Sequence, residues 1–192
     1  MKRGAFGKPH QNCSKSLRAF HWCTIDGFCI APPLVASDLC YNTRMTKRVY
    51  VDTSVVSAVS DKDEARRHQT VRFWDSVRNG EIIAVVSDVS RDELDGAPEY
   101  VQKFFASIPE VQIERVVSTD ESDVLARQYV AEKVVGQSSL NDCRHIAIAT
   151  VVRTDGVVSW NLKDMVKRQD GYNSVNEKMG YPKIEIQTPK DM

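Results

Sequence analysis

Three short apolar runs, each ending in a polar residue, constrain this chain more than any other feature. Val49-Tyr50-Val51 ends at Asp52, Ile82 to Val86 ends at Ser87, and Val157-Val158-Ser159-Trp160 ends at Asn161. Runs that are continuously apolar, rather than alternating, fit strands covered on both faces. Segments with helical spacing lie between them. Val71, Phe73, Trp74 and Val77 recur ahead of Asn79-Gly80, and Pro98 to Ile108 turns Val101, Phe104 and Phe105 inward. Val124, Leu125, Tyr129 and Val130 form a third stripe, which Gly136 is expected to stop. Residues 111–117 and 184–187 read as further strands. Strands alternating with helices predict an α/β domain around a mainly parallel sheet. Ligands of such sheets bind outside the carboxyl ends of the strands. That rule points at Asp52, at the Ser87–Glu93 segment and at Asn161.

The first 44 residues are a different kind of sequence. They carry six basic and two acidic residues and four of the five cysteines, whereas 45–192 has 20 basic and 24 acidic residues. The two halves cancel to a formal net charge of zero, which excludes a wholesale electrostatic grip on nucleic acid. Cys13, Cys23, Cys29 and Cys40, with His10 and His21, offer zinc-ligand types, but no close C-x2-C pair supports a zinc site. Phe20 to Val35 is interrupted by His21, Asp26 and Pro32-Pro33, so a secretory signal is not supported. No run approaches the roughly 18–20 apolar residues of a membrane helix. Residues 1–44 therefore read as a disordered extension, and 45–192 as the folded domain. Sparse cysteine in that domain suits a reducing cytoplasm.

The polar strand ends belong to a larger ordered set. It comprises Val51-Asp52-Thr53-Ser54, Ser90-Arg91-Asp92-Glu93-Leu94, Asn141-Asp142-Cys143-Arg144-His145-Ile146-Ala147-Ile148-Ala149 and Val157-Val158-Ser159-Trp160-Asn161. In this order the set resembles the PIN domain family of metal-dependent ribonucleases, over about residues 47–188. The resemblance implies a three-layer α/β/α sandwich and a carboxylate cluster that binds Mg2+ or Mn2+. By position, Asp52, Glu93 and Asp142 match the family's first three acids. Asn161 stands where many members have a fourth acid, and Asp164 is a weak substitute for it. Ser54 and Ser159 match hydroxyls that support the site. Toxins of the VapC type are often little more than this domain, which adds a small antitoxin and a second copy of the chain to RNA as expected partners.

The chemistry has a reason apart from the family. Hard divalent cations take oxygen ligands, and Mg2+ uses few carboxylates plus water. A bound cation lowers the pKa of water and stabilises charge on phosphate oxygens. Without one, clustered carboxylates repel and some of their pKa values rise. Each residue also has a plainer role open to it. Asp52 fits a helix cap, Glu93 fits the capping-box partner of Ser90 with Ser87 as a rival cap, and Asp142 fits a first-turn acid after Ser139. Asp92 takes the place of Glu93 if the register slips by one. His145 precedes an apolar helix face and reads as a packed or hydrogen-bonding residue. Cys143 lacks the setting of a reactive thiol. Arg66, Arg67 and Arg72, and Lys163 with Lys167 and Arg168, form local basic runs suited to phosphate contacts or to solvated helix faces.

Two other readings compete. A PIN-like module that binds RNA or protein without cleaving is kept open by Asn161. A phosphoacceptor receiver domain needs an acidic pair after the first strand, and Asp52 stands alone there. No phosphate-binding loop, dinucleotide fingerprint, H-E-x-x-H or G-x-S-x-G occurs.

Overall fold

Side-chain alternation along the central strands builds the architecture. The computed structural model describes residues 46–192, together with two short strands, β1 (Thr24–Ile25) and β2 (Phe28–Cys29), which pair antiparallel. Contacts divide the chain into Met1–Asn42 and Thr43–Met192. The disordered extension expected over 1–44 and the zinc reading of its cysteines lie outside the described residues.

The second unit holds a five-stranded sheet in the order β5-β4-β3-β6-β7, with every neighbouring pair parallel. Its strands are β3 (Lys47–Val51), β4 (Ile82–Ser87), β5 (Ile113–Val116), β6 (Gly156–Val158) and β7 (Ile186–Gln187). Seven helices accompany them: α1 (Thr53–Ser57), α2 (Glu64–Arg78), α3 (Asp88–Asp95), α4 (Glu99–Ala106), α5 (Asp120–Ala131), α6 (Leu140–Val151) and α7 (Gln169–Met179). Successive strand residues point to opposite faces. Val49, Val51, Ala84, Val86 and Val158 pack with Val55, Phe73, Trp74 and Val77 of α1 and α2. Tyr50, Val85, Val157 and Ile186 pack with Leu125, Tyr129, Ile146 and Tyr172 of α5, α6 and α7. The result is the expected three-layer α/β/α sandwich. No helix of the described residues is long and apolar enough to cross a membrane.

From β3 the chain winds outward through β4 to β5, then returns to place β6 and β7 on the other side of β3. Such a reversal opens a crevice at the carboxyl ends of the two strands that flank it. Here those strands are β3 and β6, which are followed directly by Asp52 and Ser159.

Several sequence expectations need correction. The apolar stretch that follows Asp52 forms the short helix α1. The stripe on α5 ends at Ala131, short of Gly136, with Lys133 in the left-handed region at φ 59°. Helix α7, which buries Tyr172, Val175 and Asn176 on one face, has no counterpart among the sequence expectations. The Asn79-Gly80 stop is realised, with Gly80 at φ 75°.

Trp74 anchors the α2 side. It is fully buried, with Phe73 and Phe104 edge-on at centroid distances of 5.4 and 5.8 Å. Trp74→Ala is expected to lower unfolding free energy by about 3–5 kcal/mol in a denaturant titration. A loss under about 1 kcal/mol would contradict this packing.

Candidate metal centre

Asp52 follows β3 directly, and its N–H continues the ladder to the Val158 carbonyl at 3.1 Å. It occupies the cap position of α1, yet its side chain makes no capping bond. Oδ2 instead accepts from the Ser54 and Ser159 hydroxyls, the latter at 2.7 Å. These hydroxyls in turn accept from the N–H groups of Trp160 and Asn161, at 3.0 and 2.9 Å. The ends of β3 and β6 are thus stitched together through one carboxylate oxygen. Oδ1 is left facing His145, whose Nε2 is 3.9 Å away.

Glu93 reaches the same place from α3. That helix is capped by Ser87, whose Oγ accepts from the Ser90 N–H at 3.2 Å. Ser90 is therefore inside the helix, and the Ser90-to-Glu93 capping box does not form. Glu93 is released from capping, and Oε2 accepts from the Thr53 hydroxyl. His145 Nε2 lies 3.4 Å from each of its oxygens. Asp92 is exposed.

Asp142 lies in the first turn of α6 and is half-buried. Ser139 precedes it without any side-chain capping bond. Asp142 Oδ1 accepts from Asn161 Nδ2 at 3.1 Å, while Asn161 Oδ1 accepts from the Asp164 N–H at 3.1 Å. Both ends of the Asn161 amide are thereby engaged within the protein.

His145, one turn beyond Asp142 on the same face of α6, is buried. Its Nδ1 lies 2.8 Å from the Tyr50 hydroxyl, which also meets Ser87 Oγ at 2.6 Å and Ser90 Oγ at 3.2 Å. One donor atom from each of Asp52, Glu93 and His145 falls within 4.8 Å of the others. Asp142 flanks this trio and is not part of it. Tyr50 and Thr53 were absent from the sequence-level site. The i, i+3 spacing of Asp142 and His145 was the available signal for His145.

The basic residues spread out. Arg66 pairs with Asp61 at 3.2 Å and lies 4.9 Å over the ring of Trp160, the neighbour of Asn161. Lys163 is exposed two residues past Asn161. Arg67 is exposed and pairs with Glu64 at 3.8 Å. Arg72 lines a cavity of about 220 Å³ with Ile82, the first residue of β4, and Pro189. That places it at the amino edge of the sheet, away from the acids.

Charge coupling follows the geometry. The hydrogen bond from His145 outweighs burial and, with that from Thr53, holds the Glu93 carboxyl below its ordinary pKa. Burial alone would depress the His145 pKa, but its bond to Glu93 and the charges of Asp52, Glu93 and Asp142 raise it on balance. Burial, helped by the charges of Asp52 and Asp164, pushes Asp142 up against the bond from Asn161. Burial also pushes the Cys143 thiol up to about 11, as expected of an inert cysteine.

The donor chemistry fits a divalent cation. Each carboxylate is fixed at one oxygen by an uncharged donor, and for Asp52 and Asp142 the other oxygen accepts no bond among the described residues. The second unit is thus a parallel α/β/α sandwich with acids gathered at the carboxyl edge of its central strand. The chain matches no protein-family model and no curated protein. Among solved structures it is similar to VapC20 of Mycobacterium tuberculosis, a sarcin-ricin loop cleaving toxin. Identity there is 14% over 71% of this chain and 98% of the other, with a TM-score of 0.47. It is also similar to VapBC2 of Rickettsia felis bound to a promoter DNA fragment, at 12% identity over 73% and 98%, with a TM-score of 0.45. At this level the likeness is one of chain path. What the site can do rests on its own residues.

In metal-free protein the His145–Glu93 pair has a defined pH signature. A raised His145 pKa adds stability that is fully present below about pH 6.5 and is lost as pH rises through the folded value. A lowered Glu93 pKa adds stability present above about pH 4.5 and lost as pH falls through its folded value. In EDTA, the melting-temperature gap between wild type and His145→Gln is expected to be larger at pH 6 than at pH 9. A gap independent of pH would contradict the pairing.

Proposed function

We propose that residues 45–192 form a metal-dependent endoribonuclease that hydrolyses RNA phosphodiester bonds at the Asp52–Glu93–Asp142 cluster. The observation that carries this reading is convergence. Two acids far apart in sequence, Asp52 at the end of β3 and Glu93 on α3, meet at the carboxyl edge of the sheet, with Asp142 of α6 flanking them. Burying like charges together is unfavourable without a cation. Asp52, Glu93 and Asp142 would hold Mg2+ or Mn2+. Such an ion, when bound, generates a nucleophile from water and neutralises charge on the phosphate.

The chain's own residues prepare the site. Ser54 and Ser159 hold Asp52 at Oδ2, Thr53 holds Glu93, and Asn161 holds Asp142. Each of these carboxylates is held at one oxygen before an ion binds, which is the economy of a preorganised site. Arg66 and Lys163, at the rim near Asn161, are placed to contact phosphates, whereas Arg72 is not. The motif resemblance extends the reading to a cytoplasmic toxin restrained by a small antitoxin protein, with a second copy of the chain as a further partner.

A non-catalytic RNA- or protein-binding module is the second reading. It is favoured by Asn161, which brings no charge and spends both ends of its amide inside the protein.

Incubating the full chain with structured RNAs in Mg2+, Mn2+ or EDTA tests the choice. Cleavage is expected only with metal. Asp52→Asn is expected to reduce it by more than about 100-fold, beyond the 10–100-fold typical of losing a group that merely supports a ligand. Its circular dichroism should be unchanged. Activity retained by this variant would sink the site. Metal binding without cleavage of any RNA would favour the second reading.

A further inference from the structure

The cluster holds one donor more than the acids account for. His145 Nε2 is 3.4 Å from Glu93 Oε2 and 3.9 Å from Asp52 Oδ1. Two atoms bound at about 2.1 Å to one octahedral ion stand about 3 Å apart when adjacent and about 4.2 Å apart when opposite. Both separations from the imidazole fall within that span, and the three donor atoms lie within 4.8 Å of one another, so an ion drawn in between the two carboxylates would meet the imidazole as well.

His145 is held in this pose. Its side chain is 1% exposed, and Tyr50 anchors Nδ1 from the sheet side at 2.8 Å. The Tyr50 hydroxyl and Ser87 Oγ, 2.6 Å apart, can exchange donor and acceptor roles. Tyr50 can therefore accept from Nδ1–H while donating to Ser87, which leaves the Nε2 lone pair aimed at the carboxylates. Ligating histidines are oriented in this way through their second nitrogen. Asn161, where a fourth acid is expected, brings no charge, and each end of its amide is engaged within the protein.

Resting on the carboxylate site proposed above, we propose that His145 is a nitrogen ligand of that site and that the site selects Mn2+ over Mg2+. Imidazole suits transition ions, whereas Mg2+ takes oxygen ligands. Tyr50 is the positioning residue that presents Nε2.

The test is binding rather than turnover. The full chain is titrated with Mn2+, followed by electron paramagnetic resonance, with Mg2+ as competitor. Pulsed measurements on the Mn2+-loaded protein then look for nitrogen hyperfine coupling, which needs no variant. Coupling to one histidine nitrogen is expected, with Mg2+ competing only in large excess. His145→Gln should lose the coupling and about tenfold or more in Mn2+ affinity. Tyr50→Phe should weaken binding while keeping the coupling. Mn2+ bound through oxygen alone, or Mg2+ bound equally tightly, would overturn this inference and leave the carboxylate site standing. Failure to bind either ion would overturn both.

Discussion

Repulsion among carboxylates at one edge of the sheet is the constraint around which the rest of the structure is arranged. Two unit charges within 4.8 Å, the spacing at which Asp52 and Glu93 meet, repel by about 3 kcal/mol at an effective dielectric of 20. Hydrogen bonds to charged groups contribute about 1.5–3 kcal/mol each. The hydroxyls of Thr53, Ser54 and Ser159 therefore offset much of the repulsion. In metal-free protein His145 lies between the two acids, whose charges favour its protonated form, at the place proposed for the cation. A bound cation would meet the same pair of carboxylates, and an imidazole that ligates it must be neutral.

The fold supplies this arrangement through topology. Reversal of strand order at β3 brings the ends of β3 and β6 side by side, so hydroxyls from both reach Asp52 Oδ2. Alternation along β3 turns Tyr50 toward α6 while Val49 and Val51 face α2. The residue before the metal-site aspartate's neighbour in the strand is thus the one that orients His145. Small residues Ala147 and Ala149 let α6 lie close to the sheet, which brings Asp142 and His145 to its edge.

What the sequence made legible, and what it hid, divides along physical lines. The apolar runs ending at Asp52, Ser87 and Asn161 disclosed the layers and the sheet edge, because continuous burial leaves a compositional trace. The ordered motifs singled out Asp52, Glu93 and Asp142. Ser90 illustrates what local pattern cannot decide. Ser87 and Ser90 both read as caps, and only the path of β4 determines that Ser87 caps α3 and Glu93 is released. Tyr50 read as a core residue because a buried tyrosine hydroxyl has no sequence signal apart from its partners. Arg72 shared a basic run with Arg66, yet α2 is long enough to separate one from the acids and leave the other beside Trp160.

At the centre of the proposed function, Asp52 and Glu93 share one divalent ion at the end of β3. Anomalous diffraction from crystals of the full chain grown with Mn2+ tests it most directly. A single peak is expected between Asp52 Oδ1 and Glu93, within coordination distance of both. Well-ordered carboxylates with no peak between them, or a peak bound elsewhere on the molecule, would contradict it.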